Sequence, residues 1–267
     1  MQSHQIIRQK IIILAAGEGK RLRPLTNDIP KCMVPLKGIP LIERNMENWK
    51  NAVDCDFLVV SGYKRQSLAE VDCYLVPNLE YESSNMVWSL LMALPQIERM
   101  EQVYVFISYG DIVLSRKNIE ALIESDGDIN VIVDRQWEEL WSLRMPNYMS
   151  DVETLKLAGD LITEIGEKPS SRADVQGQYI GVLKIKRRVL INELRLYQEW
   201  VANSPSRNDS VDRKNLYMTD FIQMNINKSN EVKAVFIDGG WLEVDSVDDL
   251  VAYEAVWGSE TPFTDLY

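Results

Sequence analysis

Residues 10–31 read KIIILAAGEGKRLRPLTNDIPK, and this stretch is the most informative part of the sequence. An apolar run over residues 11–14 passes through two alanines into Gly17 and Gly19. A strand that ends in Gly-x-Gly lets backbone N–H groups approach an anion closely, because glycine tolerates the tight turn that this approach requires. Four cations stand close behind the glycines: Lys20, Arg21, Arg23 and Lys31. The stretch favours a loop for a phosphorylated group, although Gly-x-Gly with arginines alone would fit a solvated surface loop equally well.

The spacing of these glycines excludes two common phosphate-binding motifs. The dinucleotide fingerprint has a third glycine three residues after the second, and Leu22 stands there. The P-loop continues from Gly-Lys into serine or threonine, and Arg21 follows Lys20 here. The loop therefore follows a different pattern from both.

Composition restricts the class of protein. The 267 residues are 46% hydrophobic, which is enough to bury a large core, and the formal net charge is −11. That charge argues against nucleic acid or an anionic membrane surface as the main partner, whereas a site for a phosphorylated small molecule depends on local charge. The single histidine, His4, lies in a polar N-terminal tail, which excludes His-based metal clusters and a Ser-His-Asp triad.

Cysteine spacing and hydropathy bear on location. Cys32, Cys55 and Cys73 show no close pairing, so neither a disulfide framework nor a zinc knuckle is predicted. No apolar run reaches the ~18 residues of a membrane span. The N-terminal run is short for a signal peptide, and charged residues follow it at once. We therefore expect a soluble, cytoplasmic protein in a reducing compartment.

Short apolar runs alternate with helix-like segments in the first half of the chain. Strands are predicted at residues 11–15, 57–61, 103–108 and 129–133, and helices at 41–52, 85–94 and 117–124. This alternation predicts an α/β fold with a mostly parallel sheet and helices on both faces, which makes three layers.

The pattern of predicted strands and helices changes in the second half of the chain. Residues 154–169 indicate two strands around a Gly-Asp turn; further strands are predicted at 177–185 and 232–237, and helices at 187–201, 218–227 and 247–257. Residues 203–215 are the most loop-like or mobile stretch. We expect one domain over residues 1–267, with a nucleotide-binding half at about 1–115 and an acceptor-binding half at about 116–267.

The complete opening string is more specific than its glycines. It resembles the signature of the sugar-1-phosphate and related nucleotidyltransferases, LAAGxGxRLxPLTxxxPKxxxP. The matching residues are Leu14-Ala15-Ala16-Gly17, Gly19, Arg21-Leu22, Pro24-Leu25-Thr26, Pro30-Lys31 and Pro35. Lys20 departs from the pattern, since many members carry threonine or serine there. The resemblance implies a Rossmann-like, mixed and mostly parallel sheet of the nucleotide-diphospho-sugar transferase type.

The same resemblance implies roles for the residues of the string. The nucleotide would be held by Leu14, Ala15, Ala16, Gly17, Glu18 and Gly19, chiefly through backbone groups. Arg21 would grip the β- and γ-phosphates, and Lys31 would neutralise the α-phosphate under attack. Positioning and charge stabilisation supply most of the catalysis in such phosphoryl-group chemistry.

Two carboxylates that bind Mg²⁺ are also expected from the resemblance. Asp111 follows a predicted buried strand, and Asp245 precedes the last predicted helix. Mg²⁺ takes hard oxygen ligands and keeps several waters, so two carboxylates and phosphate oxygens suffice. The alternatives are a turn residue for Asp111 and, for Asp245, a helix N-cap with Ser246.

Two further stretches point to the substrates. ESSNMVWSLLMA (residues 82–93) is similar to a helix start in phosphocholine-type cytidylyltransferases and makes Asn85 and Ser89 candidates for base and sugar contacts. Helix capping by Ser83, Ser84 or Asn85 is the alternative. IGEKP (residues 165–169) resembles the EKP element of sugar nucleotidyltransferases, whose lysine contacts the acceptor's phosphate. The resemblance makes Lys168 a catalytic candidate, and a lysine in a surface turn is the alternative.

Five stretches of the second half resemble one branch of the family, the CTP:phosphoglutamine cytidylyltransferases of capsule phosphoramidate synthesis. They are WEELWSLRM, DVETLKL, GQYIGVLKI, YMTDFIQ and VKAVFIDGGWLEVDSVDDL. The resemblance implies CMP transfer from CTP to phosphoglutamine, which gives CDP-glutamine. Phosphocholine, phosphonate and sugar-1-phosphate transferases remain alternatives, as does a non-catalytic nucleotide-binding regulator. A homodimer is an expectation by analogy.

Phosphoglutamine carries a carboxylate and an ammonium besides its phosphoryl group. Arg144 could pair with the carboxylate. The ammonium could pair with Asp134, Asp151 or Glu153, and the pocket could include Tyr179 or Gly181 and walls of Trp137, Trp141 or Trp241. Core packing is the alternative for each tryptophan, and a choline acceptor would instead use them as a cation–π cage.

Overall fold

A computed structural model describes residues 8–257, apart from the side chain of Ser210, so His4 lies outside the described part. In chain order its strands are β1 (Gln9–Ala15), β2 (Pro35–Leu36), β3 (Ile39–Pro40), β4 (Cys55–Ser61), β5 (Tyr74–Pro77), β6 (Tyr104–Tyr109), β7 (Ile112–Leu114), β8 (Ile129–Asp134), β9 (Leu155–Ala158), β10 (Leu161–Ile165), β11 (Gln178–Lys186), β12 (Val232–Ile237) and β13 (Trp241–Glu243). Its α-helices are α1 (Leu41–Ala52), α2 (Met86–Met92), α3 (Leu94–Glu98), α4 (Arg116–Glu124), α5 (Trp137–Arg144), α6 (Arg187–Ala202), α7 (Arg207–Lys214), α8 (Met218–Asn227) and α9 (Val247–Val256).

Nine strands form one mixed sheet in the order β5-β4-β1-β6-β11-β8-β12-β10-β9. The pairs β5–β4, β4–β1, β1–β6 and β8–β12 are parallel. Strand β11 runs antiparallel between β6 and β8, and thus joins strands from both halves of the chain. The predicted mixed, mostly parallel sheet is confirmed.

Apolar residues cover both faces of this sheet. Along β1, Ile11 and Ile13 pack in one core cluster, and Ile12 and Leu14 pack in the other. Helices α1, α4, α5 and α9 contribute to the first cluster, and α2, α3, α6 and α8 contribute to the second. A parallel strand buried on both faces needs such an unbroken apolar run. The three-layer arrangement predicted from the alternation is therefore confirmed.

One predicted loop proves wrong. Residues 203–215 contain helix α7, whose N-cap is Ser206, with its hydroxyl accepting from the Asp209 N–H at 3.1 Å. An ion pair of 2.9 Å between Arg213 and Asp209 supports the helix one turn apart. The Asn85 N–H donates to the Lys214 carbonyl at 2.9 Å. This hydrogen bond joins the end of α7 to the start of α2. The polar composition of α7 gives no apolar periodicity, so the pattern does not predict a helix there. The helix is stabilised by its N-cap, its ion pair and the hydrogen bond from Asn85 rather than by an apolar face.

Other boundaries differ from the sequence expectation. The helix predicted at 85–94 is α2, capped by Asn85, and α3 continues beyond it. Helix α5 and the short ribbon of β7 and β13 were not predicted. No helix of residues 8–257 is both long and apolar enough to cross a bilayer.

Candidate active site

A cleft of about 660 Å³ opens at the carboxyl ends of β1 and β6. Every residue predicted to bind the nucleotide or the metal lines it, together with Arg21 and Lys31. The full lining is Leu14, Ala15, Ala16, Gly17, Glu18, Gly19, Lys20, Arg21, Lys31, Cys32, Tyr81, Glu82, Ser84, Asn85, Met86, Ser89, Tyr109, Gly110, Asp111, Tyr217, Glu243 and Asp245. The structure thus brings together residues that are scattered over most of the chain.

The glycine loop packs directly on Lys31. Gly19 has a φ of +65°, and a Cβ added there would lie 2.8 Å from Cβ of Lys31. The Thr26 hydroxyl donates to the Gly19 carbonyl at 2.8 Å and holds the loop in this shape. Only glycine meets both demands at this position without strain. An added Cβ at Gly17 would meet no atom within 4 Å, so that part of the loop stays open.

Three carboxylates meet at the inner end of the cleft. Ligand oxygens of Asp111, Glu243 and Asp245 all lie within 4.8 Å of one another. The pairing of β13 with β7 produces this meeting, since it sets Glu243 opposite Ile112, the neighbour of Asp111. Glu243 was not predicted from the sequence. A usable signal was its spacing of two from Asp245, which places both side chains on the same side of an extended segment.

Two cations bind to this carboxylate cluster. Nζ of Lys31 pairs with both Asp111 and Asp245. Nη2 of Arg21 lies 3.0 Å from Oδ1 of Asp245, although the Arg21 side chain is largely exposed. The phosphate-binding candidates and the metal-binding candidates therefore form one electrostatic unit.

The charges of this unit shift one another's pKa. Burial alone would lower the pKa of Lys31, but attraction to Asp111 and Asp245 outweighs it and raises that pKa above its usual range. Burial would raise the pKa of Asp245, yet the nearby Lys31 ammonium holds it below its usual range. Burial and repulsion by Asp245 raise the pKa of Glu243.

The donor set fits a small divalent cation. Three carboxylate groups supply the hard oxygen atoms that Mg²⁺ prefers. Asp111 and Glu243 are only partly buried, so water can complete the coordination that Mg²⁺ demands. The ammonium of Lys31 competes for the same oxygens and would have to share them with a bound ion.

The two candidates for base and sugar contacts stand on α2. The Asn85 side chain caps this helix and accepts from the Met86 N–H at 2.9 Å. The Ser89 hydroxyl is buried and accepts from Nδ2 of Asn78 at 3.0 Å. Both line the cleft, so the capping alternative and the nucleotide contact are compatible for Asn85.

A second cavity of about 190 Å³ adjoins the cleft, and the two share Met86, Tyr109, Tyr217, Glu243 and Asp245. The remaining lining is Trp141, Asp151, Glu153, Gln178, Tyr179, Ile180, Gly181, Met218 and Thr219. Four of its residues are carboxylates, and none is lysine or arginine. Cations of the chain compensate Glu243 and Asp245, so the cavity is suited to a positively charged group chiefly beside Asp151 and Glu153.

Five acceptor candidates lie in this lining: Trp141, Asp151, Glu153, Tyr179 and Gly181. Gly181 has a φ of +82°, and a Cβ there would lie 2.4 Å from Cδ2 of Tyr109, so the glycine lets that ring pack against β11. Tyr109 and Tyr217 line both cavities and were not predicted. No motif marks them, because their position depends on how β6 and the start of α8 meet.

Other acceptor candidates are placed elsewhere. The Arg144 side chain is 1% exposed, pairs with carboxylates of the chain and lines neither cavity. Trp137 and Trp241 are buried in the core around Trp141. Asp134 is buried too, and its Oδ2 accepts from Nε1 of Trp241 at 2.8 Å.

Lys168 also lies outside the lining of both cavities. It is exposed, and its Nζ donates to the Ser150 carbonyl at 2.6 Å. Its contact with an acceptor's phosphate stays a prediction, and it would require Nζ to leave this carbonyl.

A glycine loop with two cations over a carboxylate cluster, at the carboxyl edge of this sheet, defines a nucleotidyltransferase site. Residues 11–166 match the model of the MobA-like NTP transferase domain, and the chain belongs to this family. The CTP:phosphoglutamine cytidylyltransferase of Campylobacter jejuni subsp. jejuni is 36% identical over 249 residues, which cover 90% of this chain and 96% of that protein.

Solved structures share the fold over nearly the whole chain. The inositol-1-phosphate CTP transferase from T. maritima has a TM-score of 0.71 at 21% identity and covers 94% of this chain and 98% of its own. The CTP:phosphocholine cytidylyltransferase from Streptococcus pneumoniae has a TM-score of 0.69 at 22% identity, with coverage of 94% and 99%. At these identities the likeness concerns the fold alone.

Proposed function

We propose that this chain transfers CMP from CTP to a phosphorylated small metabolite. The favoured acceptor is L-glutamine phosphate, and the products are then CDP-glutamine and pyrophosphate. The observation that carries the proposal is the meeting of Arg21 and Lys31 with the carboxylate cluster, where the large cleft joins the acidic cavity. The identity to the Campylobacter protein over 90% of this chain supports the choice of nucleotide and acceptor.

The reaction is an in-line displacement. A phosphoryl oxygen of the acceptor attacks the α-phosphorus of CTP and forms a new P–O bond. The bond from the α-phosphorus to the bridging oxygen breaks, and its electron pair leaves with pyrophosphate. No side chain needs to form a covalent bond, and residues 8–257 contain no histidine that could complete a Ser-His-Asp triad.

Arg21 and Lys31 stabilise the charge that moves during this step. Lys31 lies under the glycine loop and beside the carboxylates, so its ammonium can reach the α-phosphate while the loop holds the nucleotide. Arg21 is exposed at the cleft and can follow the β- and γ-phosphates as they depart. Lys31 is held between Asp111 and Asp245, and a cation fixed in this way acts strongly because it needs no reorganisation.

Asp111, Glu243 and Asp245 would hold Mg²⁺, which when bound neutralises phosphate oxygens and lowers the cost of gathering negative charge at this point. The predicted Mg²⁺ dependence is part of the proposal.

The acidic cavity would select the acceptor by its ammonium group. Asp151 and Glu153 belong to the part of the cavity lining that the cleft does not share, and they could pair with the ammonium of an acceptor. The same chemistry favours a second candidate, an acceptor such as phosphocholine or 2-aminoethylphosphonate. A sugar 1-phosphate has no cation for these carboxylates. In the favoured case the enzyme would act in the cytoplasm, and its product would serve capsule modification.

The first test is pyrophosphate release with CTP and Mg²⁺ across phosphoglutamine, phosphocholine, 2-aminoethylphosphonate and glucose 1-phosphate. We expect turnover with phosphoglutamine above all. Turnover with another ammonium-bearing acceptor would keep the mechanism and replace the substrate. Turnover only with glucose 1-phosphate would overturn the reading of the acidic cavity.

Substitution of the carboxylates tests the catalytic assignment. Asp111→Asn and Asp245→Asn should abolish turnover and leave the fold intact. Asp238→Asn is a control, because Asp238 is an exposed carboxylate whose partner is Arg135. Near-normal activity in either cluster variant would remove that residue from the mechanism.

A further inference from the structure

We infer that Arg144 and Asp249 are positioning residues that hold Glu243 and Asp245 in the geometry needed for turnover. The inference rests on the proposed function, and it replaces the acceptor-binding role first expected for Arg144. Neither residue lines the cleft or the acidic cavity, so both would act through the carboxylates that do.

The guanidinium of Arg144 connects two members of the carboxylate cluster. Its Nη1 donates to Oε2 of Glu243 at 3.2 Å, and its Nη2 donates to Oδ2 of Asp245 at 3.1 Å. The ring of Trp141 lies 5.6 Å from the guanidinium carbon and packs against it. Because a guanidinium is planar and rigid, it fixes the two carboxylates relative to each other.

Asp249 fixes the guanidinium in turn. Its Oδ2 accepts from Nη2 of Arg144 at 3.3 Å, and its Oδ1 lies 3.3 Å from Nε. The same Oδ2 accepts from the backbone N–H groups of Asp245 at 2.8 Å and Ser246 at 2.9 Å. One buried carboxylate therefore holds both the side-chain partner and the main chain of Asp245.

This network also reduces the electrostatic repulsion within the carboxylate cluster. Three carboxylates so close together repel one another, and Lys31 offsets that repulsion from the side of the cleft. Arg144 offsets it from the buried side, where its side chain is 1% exposed. Without Arg144, Glu243 and Asp245 would be free to turn apart, and small misplacements at a reacting centre can cost about 10²-fold in rate.

The test compares Arg144→Met, Arg144→Lys and Asp249→Asn with the wild type. Two readouts are needed: kcat and KM for CTP and the acceptor, and Mn²⁺ binding measured by electron paramagnetic resonance without substrates. We expect Arg144→Met to lower kcat and weaken Mn²⁺ binding by roughly 10–100-fold, the usual effect of losing a partner that orients metal ligands. The KM for the acceptor should stay within about twofold.

Arg144→Lys should recover part of the loss, since it keeps the charge without the planar fork. The losses of kcat and Mn²⁺ binding in Asp249→Asn should lie between those in Arg144→Lys and those in Arg144→Met. If Arg144→Met does not fold, the other two variants still decide. Glu193→Gln is the matched control, because Glu193 is a buried carboxylate whose partner, Lys228, lies outside the site. Its kinetics should equal those of the wild type.

Two results would overturn the inference. A raised KM for the acceptor at unchanged kcat would make Arg144 an acceptor ligand. Unchanged kcat and Mn²⁺ binding with reduced thermal stability would leave the network a structural role only. If the wild type turned over no acceptor of the panel, the proposed function would fail, and the Mn²⁺ comparison would still decide the positioning role.

Discussion

Replacement of Lys31 by methionine is the most informative single perturbation of the fold and the site together. Methionine keeps much of the side-chain volume and removes the ammonium from between Asp111 and Asp245. The side chains of Lys31, Asp111 and Asp245 are only 18%, 13% and 11% exposed, so water screens the lost interaction weakly. The substitution therefore leaves a nearly buried cluster of negative charge without its closest counter-charge.

The expected cost follows from this burial. Two unit charges about 4 Å apart interact by roughly 4 kcal/mol at an effective dielectric constant of about 20. Removal of one partner from a buried ion pair typically costs about 3–5 kcal/mol, because the remaining charge is left uncompensated. We expect the free energy of unfolding to fall by about 3 kcal/mol, which corresponds to a Tm lower by roughly 6–12 °C.

The assay is urea and thermal denaturation in the presence of a chelator. Lys31→Arg should lose less than Lys31→Met, since it keeps the charge. Lys50→Met is the control, because Lys50 pairs with an exposed Asp72, and such surface pairs contribute only about 0–1 kcal/mol. In activity, Lys31→Met should lower kcat by at least ~100-fold. Equal stability of Lys31→Met and Lys50→Met would refute the electrostatic account of the cluster.

Three further predictions use other parts of the structure. Gly19→Ala should cost about 1–3 kcal/mol and raise the KM for CTP, because φ is +65° and Lys31 lies under the added methyl; denaturation and kinetics check it, and an unchanged KM would contradict it. Lys184→Met should cost about 1.5–3 kcal/mol at unchanged kcat. Its buried Nζ donates to carbonyls at the end of α4, including that of Ile123 at 2.8 Å, so a lowered kcat would show more than a structural role. Glu153→Gln should raise the KM for an ammonium-bearing acceptor about tenfold and leave the KM for CTP unchanged; equal effects on both would argue against an ammonium contact.

Local patterns were enough to predict most of the regular structure. The apolar run of β1 and its Gly-x-Gly ending are consecutive in the chain, and the strand and the loop were predicted from them. The parallel sheet was predicted from the alternation of strands and helices. The helices with apolar residues at three- and four-residue intervals, such as α1 and α6, were also predicted. Helix α5 was missed because Arg144 interrupts its short apolar face, and α7 was missed because it has almost no apolar residues.

The site divides in the same way. The positions of Arg21, Lys31, Asp111 and Asp245 on one cleft were predicted, because each lies in a motif or at a strand end. Glu243 was missed, and Arg144 was given a role that its burial disfavours. Both depend on contacts across about a hundred residues of sequence, which no local pattern records.

The sequence alone predicts the alternation of strands and helices, the glycine loop and the types of charge that surround a phosphorylated substrate. These properties follow from neighbouring residues, since backbone preference and hydrophobic period are local. The fold was needed to show which further charges join Arg21, Lys31, Asp111 and Asp245. The pairing of β13 with β7 brings Glu243 and Asp245 to Asp111, and the packing of α5 beside α9 sets Arg144 behind them. Charge interactions depend on distance in space and on burial, and both are properties of the folded chain.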